Sequence, residues 1–212
     1  MGLSAYASKQ AKKGGGGQQE KRIIYFFPMR ARHTKDIVIQ KQDLLIYQKS
    51  DYIIIQVGIV DACRRITKRG IELRAEAMFG VLYRRFRAYF LPKLTKLYAY
   101  HYVSPSAFKD NCEEIIQTIL QANAGAKIFW IRIAQAGNNL ISKVFHIAQD
   151  IEQYNAILYE LQERYSGKMF VIDPYLHLSP DIITIKDGHH LSEFGHSVVF
   201  QAVCKALDIP LS

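Results

Sequence analysis

Between Asp51 and Gly58 the chain reads Asp-Tyr-Ile-Ile-Ile-Gln-Val-Gly, a nearly unbroken β-branched and aromatic run too short for a buried helix. A half-solvated antiparallel strand alternates apolar and polar residues, whereas continuous apolarity is the mark of a parallel strand covered by helices on both faces. Three further runs repeat the pattern: Ile23 to Phe27, halted by Pro28, then Lys127 to Ala134 and Met169 to Ile172. Long segments with apolar residues at helical spacing separate them. Parallel strands joined this way need right-handed crossovers. The expected fold class is therefore α/β, a three-layer sandwich with a parallel central sheet and helices on both faces.

The helices have readable ends. Thr34 caps a predicted helix carrying Ile37, Val38, Leu44 and Leu45 and ending near Ser50, with Asp36 in its first turn. Residues 72–100 read as helical, broken by Gly80 and Pro92, and a further helix starts at Ser106 and ends at Gly125. Ile147, Ile151, Tyr154, Leu158, Leu161 and Tyr165 share one helical face, closed by Gly167. Ser192 caps the last helix, which carries Val198, Val199, Ala202 and Val203. Residues 1–13 suit a short helix and Gly14 to Gly17 a flexible linker, so the expected organisation is an N-terminal helix and linker over 1–21 and one domain over 22–212.

Composition narrows the class. Among 212 residues 49% are apolar and 22% charged, the proportions of a globular domain and not of a disordered chain. No apolar run reaches the roughly 18 residues of a bilayer-spanning helix. Three widely spaced cysteines (Cys63, Cys112 and Cys204) make neither a disulfide framework nor a zinc ribbon, and the first ten residues lack a secretion signal; the expected location is cytoplasmic. Seven histidines invite a metal, yet none form HxxxH and adjacent His189 and His190 are expected to point apart, so neither metal nor cofactor is expected. The glycines match no nucleotide-binding loop.

The net charge of +9 is regional. Residues 1–96 hold 20 Lys and Arg against 7 Asp and Glu, and the density peaks over 64–96, where only Glu72 and Glu76 oppose ten basic residues. Such a stretch is either a solvated helical face or a site for an anionic ligand. Tyr83, Phe86, Tyr89 and Phe90, interleaved with Arg84, Arg85 and Arg87, fit core packing better than base stacking, so nucleic acid is not the expected partner.

In an open parallel sheet the ligand site lies beyond the carboxyl ends of the strands. The loop ahead of the last helix holds the sharpest signal there. An aspartate three residues before a histidine folds back to accept the ring Nδ1 proton, leaving Nε2 as a general base; Asp187 and His190 have this spacing.

The surrounding Asp187-Gly188-His189-His190-Leu191-Ser192-Glu193-Phe194-Gly195-His196 resembles the DGxHxxxxGH block that opens the final helix of SGNH/GDSL hydrolases. Ile53 to Asp61, a buried strand running into Gly58-Ile59-Val60-Asp61, resembles that family's third block, Gly-x-Asn-Asp. The helix containing Tyr154 and Asn155 is similar to the one before its penultimate strand. The resemblance covers about residues 22–210 and implies a flavodoxin-like SGNH fold, here without the usual first strand. It further implies a serine esterase in which His190 is the base and Asp187 orients it.

The chain departs from the family at the nucleophile and the oxyanion hole. The family's Gly-Asp-Ser is absent. Ser4 lies where the nucleophile belongs, but Leu3 replaces its aspartate; alternatively Leu3-Ser4-Ala5-Tyr6 matches the residues after a lost serine. Val60 stands where the family has an oxyanion-binding Asn, leaving Gly58, Asp61, Arg32, His33 and Arg65 as candidates to stabilise the oxyanion or contact substrate. The implied substrate is a small-molecule or glycan ester, in particular an acetyl ester of a carbohydrate. The competing expectation is a truncated or inactive SGNH-like domain that binds an anionic glycan or a protein through residues 64–96.

Overall fold

The computed structural model describes residues 32–47, 49–66, 69–97 and 100–209. The chain divides into two units, Met1–Ala31 and Arg32–Ser212, and every described residue belongs to the second. The predicted helix over 1–13, the Gly14–Gly17 linker, the strand Ile23 to Phe27 and Ser4 lie outside the described residues.

Among the described residues three strands, β1 (Tyr52–Ile55), β2 (Lys127–Ile131) and β3 (Met169–Ile172), form a parallel sheet in the order β1-β2-β3. The register pairs Tyr52 with Lys127 and Ile128 with Met169. In β2, Ile128, Phe129, Trp130 and Ile131 are all buried, as a strand between two helical layers should be. β1 differs from the expectation of burial on both faces: Tyr52 is 55% and Ile54 42% exposed. It is the outer strand of the described sheet, and only the face carrying Ile55 is closed.

Helices α4 (Pro105–Ala122) and α6 (Ile147–Arg164) pack against each other and supply Phe108, Ile115, Ile116, Ile151, Tyr154 and Leu158 to the core. On the other side α7 (Pro180–Ile183) and α8 (Glu193–Ala206) meet, and Ile131, Tyr175, Ile183 and Val199 form a second cluster. The chain is thus an α/β sandwich with helices around a parallel sheet.

Several ends differ from the sequence reading. The first helix, α1, runs only from Thr34 to Ile39 with His33 as its N-cap, and a π-helical turn, Gln42–Ile46, follows. The α4 cap is Ser104, which accepts from the Ala107 N–H, and not Ser106, because Pro105 fits the first helical position. α3 (Arg69–Leu97) breaks at Gly80 (φ 46°, ψ −113°) but continues through Pro92. Ser192 caps α8 as expected, accepting from the Gly195 N–H at 3.0 Å.

Two short helices, α2 (Ile59–Ala62) and α5 (Asn138–Ile141), are the next elements after β1 and β2. They begin where the sheet's carboxyl edge opens. Asn155 clamps this edge from α6: its amide donates to the Ile133 carbonyl (3.0 Å) and accepts from the Ile133 N–H (2.9 Å).

Candidate active site

The loop between α7 and α8 is closed at its base by an antiparallel bridge between Thr184 and Leu191, and the Ile185 N–H donates to the His190 carbonyl at 2.8 Å. At its tip Gly188 adopts φ +79°, and a Cβ there would lie 2.8 Å from the Leu140 nitrogen. The Gly137 N–H, after β2, donates to the Gly188 carbonyl at 2.9 Å. Loops after two strands are therefore locked together, through two glycines that leave room for the approach.

Within this turn the Asp187 Oδ1 accepts the backbone N–H groups of His189 and His190, both at 3.0 Å, and Oδ2 lies 2.6 Å from His190 Nδ1. Burial raises the proton affinity of the Asp187 carboxyl. The two backbone donors and the His190 ring more than offset this and hold it well below the usual carboxylate range. Asp187 is thus an anion beside His190 Nδ1, which fixes the Nδ1–H tautomer and leaves Nε2 with a lone pair.

His189 does not point away from its neighbour as expected. The two rings lie alongside with centroids 4.1 Å apart, because both turn toward the same carboxylate. Ligand atoms of Asp187, His189 and His190 fall within 4.8 Å of one another, so this is also where a cation would find donors among the described residues. The Asp187 oxygens, however, are already engaged by three N–H donors. Burial lowers the pKa of His189, and Asp187 opposes that shift while the charges of His190 and Arg65 add to it.

The Arg65 guanidinium lies 5.9 Å from the Tyr102 ring centroid, and Tyr102 meets the His33 ring edge-on at 5.7 Å. Beside them is a recess of about 290 Å³ bounded by His33, Lys35, Tyr100, His101 and Tyr102, among others. Arg32 turns instead toward Asp36, at 4.0 Å.

Gly58 is buried at the end of β1 with φ +130°, and a Cβ there would meet Ile133 Cδ1 at 2.5 Å. Asp61, fully buried, neither caps the following turn nor hydrogen-bonds a base. Its carboxylate accepts the Thr34 N–H (3.1 and 3.3 Å) and hydroxyl (2.9 Å), while His33 Nδ1 stays 3.8 Å away. Asn111 completes the set by donating to the Thr34 hydroxyl at 3.0 Å. Burial pushes the Asp61 carboxyl up to about 6 against the Thr34 bonds, which pull it down.

Sequence reading missed this Thr34–Asp61–Asn111 network, and a second one. Arg64 forms a two-pronged pair with buried Asp150 (2.7 and 2.8 Å), and His101 Nε2 lies 3.4 Å from the same carboxylate. Arg64, counted above with the basic stretch, is therefore a structural cation. Only the apolar positions flanking Asp150 hinted that a charge in the first turn of α6 was facing inward.

No family model and no curated protein sequence matches the chain. Solved structures do. A lipase/acylhydrolase from Enterococcus faecalis superposes with a TM-score of 0.57 at 14% identity, covering 84% of this chain and 71% of that one. The acetylxylan esterase Axe2 from Geobacillus stearothermophilus, in a catalytic mutant whose serine is replaced by alanine, gives 0.54 at 16% identity, over 85% and 69%. The acetyl xylan esterase AlAXEase gives 0.54 at 16%, over 84% and 78%. The fold is that of the SGNH/GDSL-type hydrolases. Catalytic mutants of the Geobacillus esterase replace a serine, an aspartate, and a histidine three residues after that aspartate. Asp187 and His190 have the same separation in this SGNH-type fold.

Proposed function

We propose that this chain is an SGNH-type serine esterase acting on an ester of a carbohydrate, most simply an acetyl ester. The observation behind it is the 2.6 Å contact between Asp187 Oδ2 and His190 Nδ1, on the loop ahead of α8, in a fold shared with acetylxylan esterases. His190 Nε2 removes the proton of a serine hydroxyl, for which Ser4 is the candidate in this chain, while the ionised Asp187 stabilises the imidazolium that forms. The serine oxygen attacks the ester carbonyl, and the alcohol leaves with the proton from His190. Water then attacks the acyl-enzyme, giving a proton to His190, which passes it to the serine oxygen as the acyl–serine bond breaks and the acid is released.

Backbone donors at Gly58 and the side chains of Arg65 and His33 are the candidates to meet the oxyanion or the substrate, with Arg32 and Asp61 beside them. Tyr100 and Tyr102 offer aromatic faces to a sugar ring.

Release of acetate from an aryl acetate and from acetylated xylo-oligosaccharides tests the reading. Wild-type turnover that is lost in His190→Ala and in Ser4→Ala supports it. Absence of turnover in the wild-type chain would overturn it in favour of an SGNH-like domain that binds without cleaving.

A further inference from the structure

Ester cleavage leaves helix α3 without a role. Among the described residues this helix shares no extended packing interface with another named helix or strand, and at its carboxyl end Lys96 Nζ lies 5.3 Å from the centroid of the Phe145 ring. At its break, Met78 is 74%, Phe79 57%, Val81 58% and Leu82 70% exposed. Successive helical residues point about 100° apart, and Gly80 turns the chain between the two pairs, so these four side chains project on several sides of a corner. One flat protein surface cannot cover them all, but a fluid hydrocarbon phase can. Leu82, Phe86 and Tyr89 continue the apolar surface at helical spacing beyond the corner, and Phe86 (51%) and Tyr89 (65%) are exposed, not packed in the core as their spacing suggested.

Cations surround this surface. Arg74, Arg84, Arg85 and Lys93 are exposed, and Lys93 Nζ lies 4.9 Å from the centroid of the Tyr89 ring. Glu76 opposes them, paired with Arg84 at 3.7 Å. An apolar tip with a basic collar matches the depth profile of an anionic bilayer, where acyl chains lie below a layer of phosphates. Nucleic acid would satisfy the arginines yet leave Met78, Val81 and Leu82 in water. A second copy of the chain would set like charges against each other.

We propose that the Gly80 corner of α3 docks on anionic membrane surfaces, with Met78, Phe79, Val81 and Leu82 entering the acyl boundary and Arg74, Arg84, Arg85 and Lys93 engaging headgroup phosphates. The docking site is separate from the Asp187–His190 loop and does not depend on ester cleavage.

Co-sedimentation of the full chain with vesicles of phosphatidylcholine alone, or with about one third phosphatidylglycerol, tests this. Binding should be at least tenfold tighter to the anionic vesicles and weaken with salt. It should fall at least tenfold in Met78→Ser/Leu82→Ser and in Arg84→Gln/Arg85→Gln, with circular dichroism unchanged. Failure to bind either vesicle, or binding that ignores the apolar double variant, would overturn the proposal. Equal affinity for duplex DNA or RNA at the same salt, or dimerisation abolished by Met78→Ser/Leu82→Ser, would assign the surface to those partners instead.

Discussion

Asp187 holds His190 at two points: Oδ2 lies 2.6 Å from the ring Nδ1, and Oδ1 accepts the backbone N–H of the same residue at 3.0 Å. One carboxylate therefore sets both the position of the loop and the tautomer of the ring. Asp187→Asn keeps an oxygen for the backbone donors but presents an amide to the ring, favouring the tautomer with Nε2 protonated. The expected result is a loss of kcat of about 10³- to 10⁴-fold with little change in thermal stability. His190→Ala should lose as much, and His189→Ala, which removes a neighbour and not the proposed base, far less. Steady-state hydrolysis of an aryl acetate by the three variants checks this; an active His190→Ala would remove the residue from the mechanism.

Asp61 makes stability depend on pH in the direction opposite to a salt-bridged carboxylate. Its pKa rises from 3.8 to about 6 through burial, so the folded state binds its proton more tightly than the unfolded chain. The stabilisation is complete below the unfolded value and disappears as pH rises through about 6. Asp61→Asn retains an acceptor for Thr34 and carries no charge. It should be more stable than wild type at neutral pH, by up to about 3 kcal/mol for a shift of this size, with the advantage shrinking toward about pH 4. Urea unfolding of both proteins across that window measures the difference, and parallel curves would contradict it.

Asn155 satisfies both backbone groups of Ile133 from inside the core. Asn155→Ala leaves a buried N–H and a buried carbonyl unpaired, each costing about 1–3 kcal/mol. A destabilisation of about 2–4 kcal/mol is expected in chemical denaturation, together with weaker hydrogen-exchange protection of the Ile133 amide. A loss below about 0.5 kcal/mol would mean that water replaces the clamp.

Gly195 is required by contact, not by conformation. A Cβ at this position would clash with the Ile183 carbonyl oxygen, a backbone atom that also accepts the Ser192 N–H at 2.9 Å. Gly195→Ala must push α8 away from α7, and a loss of about 2 kcal/mol or more is expected. Gly125→Ala is the control, since its new methyl meets only the end of the Asn123 side chain at 3.2 Å. Melting temperatures should separate the two variants clearly; equal values would show that α8 shifts at no cost.

The strands β1, β2 and β3, the order of helices around them and the Asp187–His190 pair were legible in the sequence because each rests on neighbours in the chain. Apolar runs and helical periodicity are local, and a carboxylate three residues from a histidine reaches it within one turn. The glycines of the DGxHxxxxGH stretch were visible as letters, but their reason is tertiary: Gly188 meets Leu140 and Gly195 meets Ile183. The Asp61–Thr34 and Arg64–Asp150 bonds span 27 and 86 residues, and no local pattern marks which charge will be buried against which partner. Asp61 could be read as a turn cap and Arg64 as a surface cation until the fold buried Asp61 and, against Arg64, Asp150. Adjacent residues thus determined on their own what a strand, a helix or a single turn can do. Burial decided which charges became structural, because the cost of desolvating a charge arises only once the chain has closed around it.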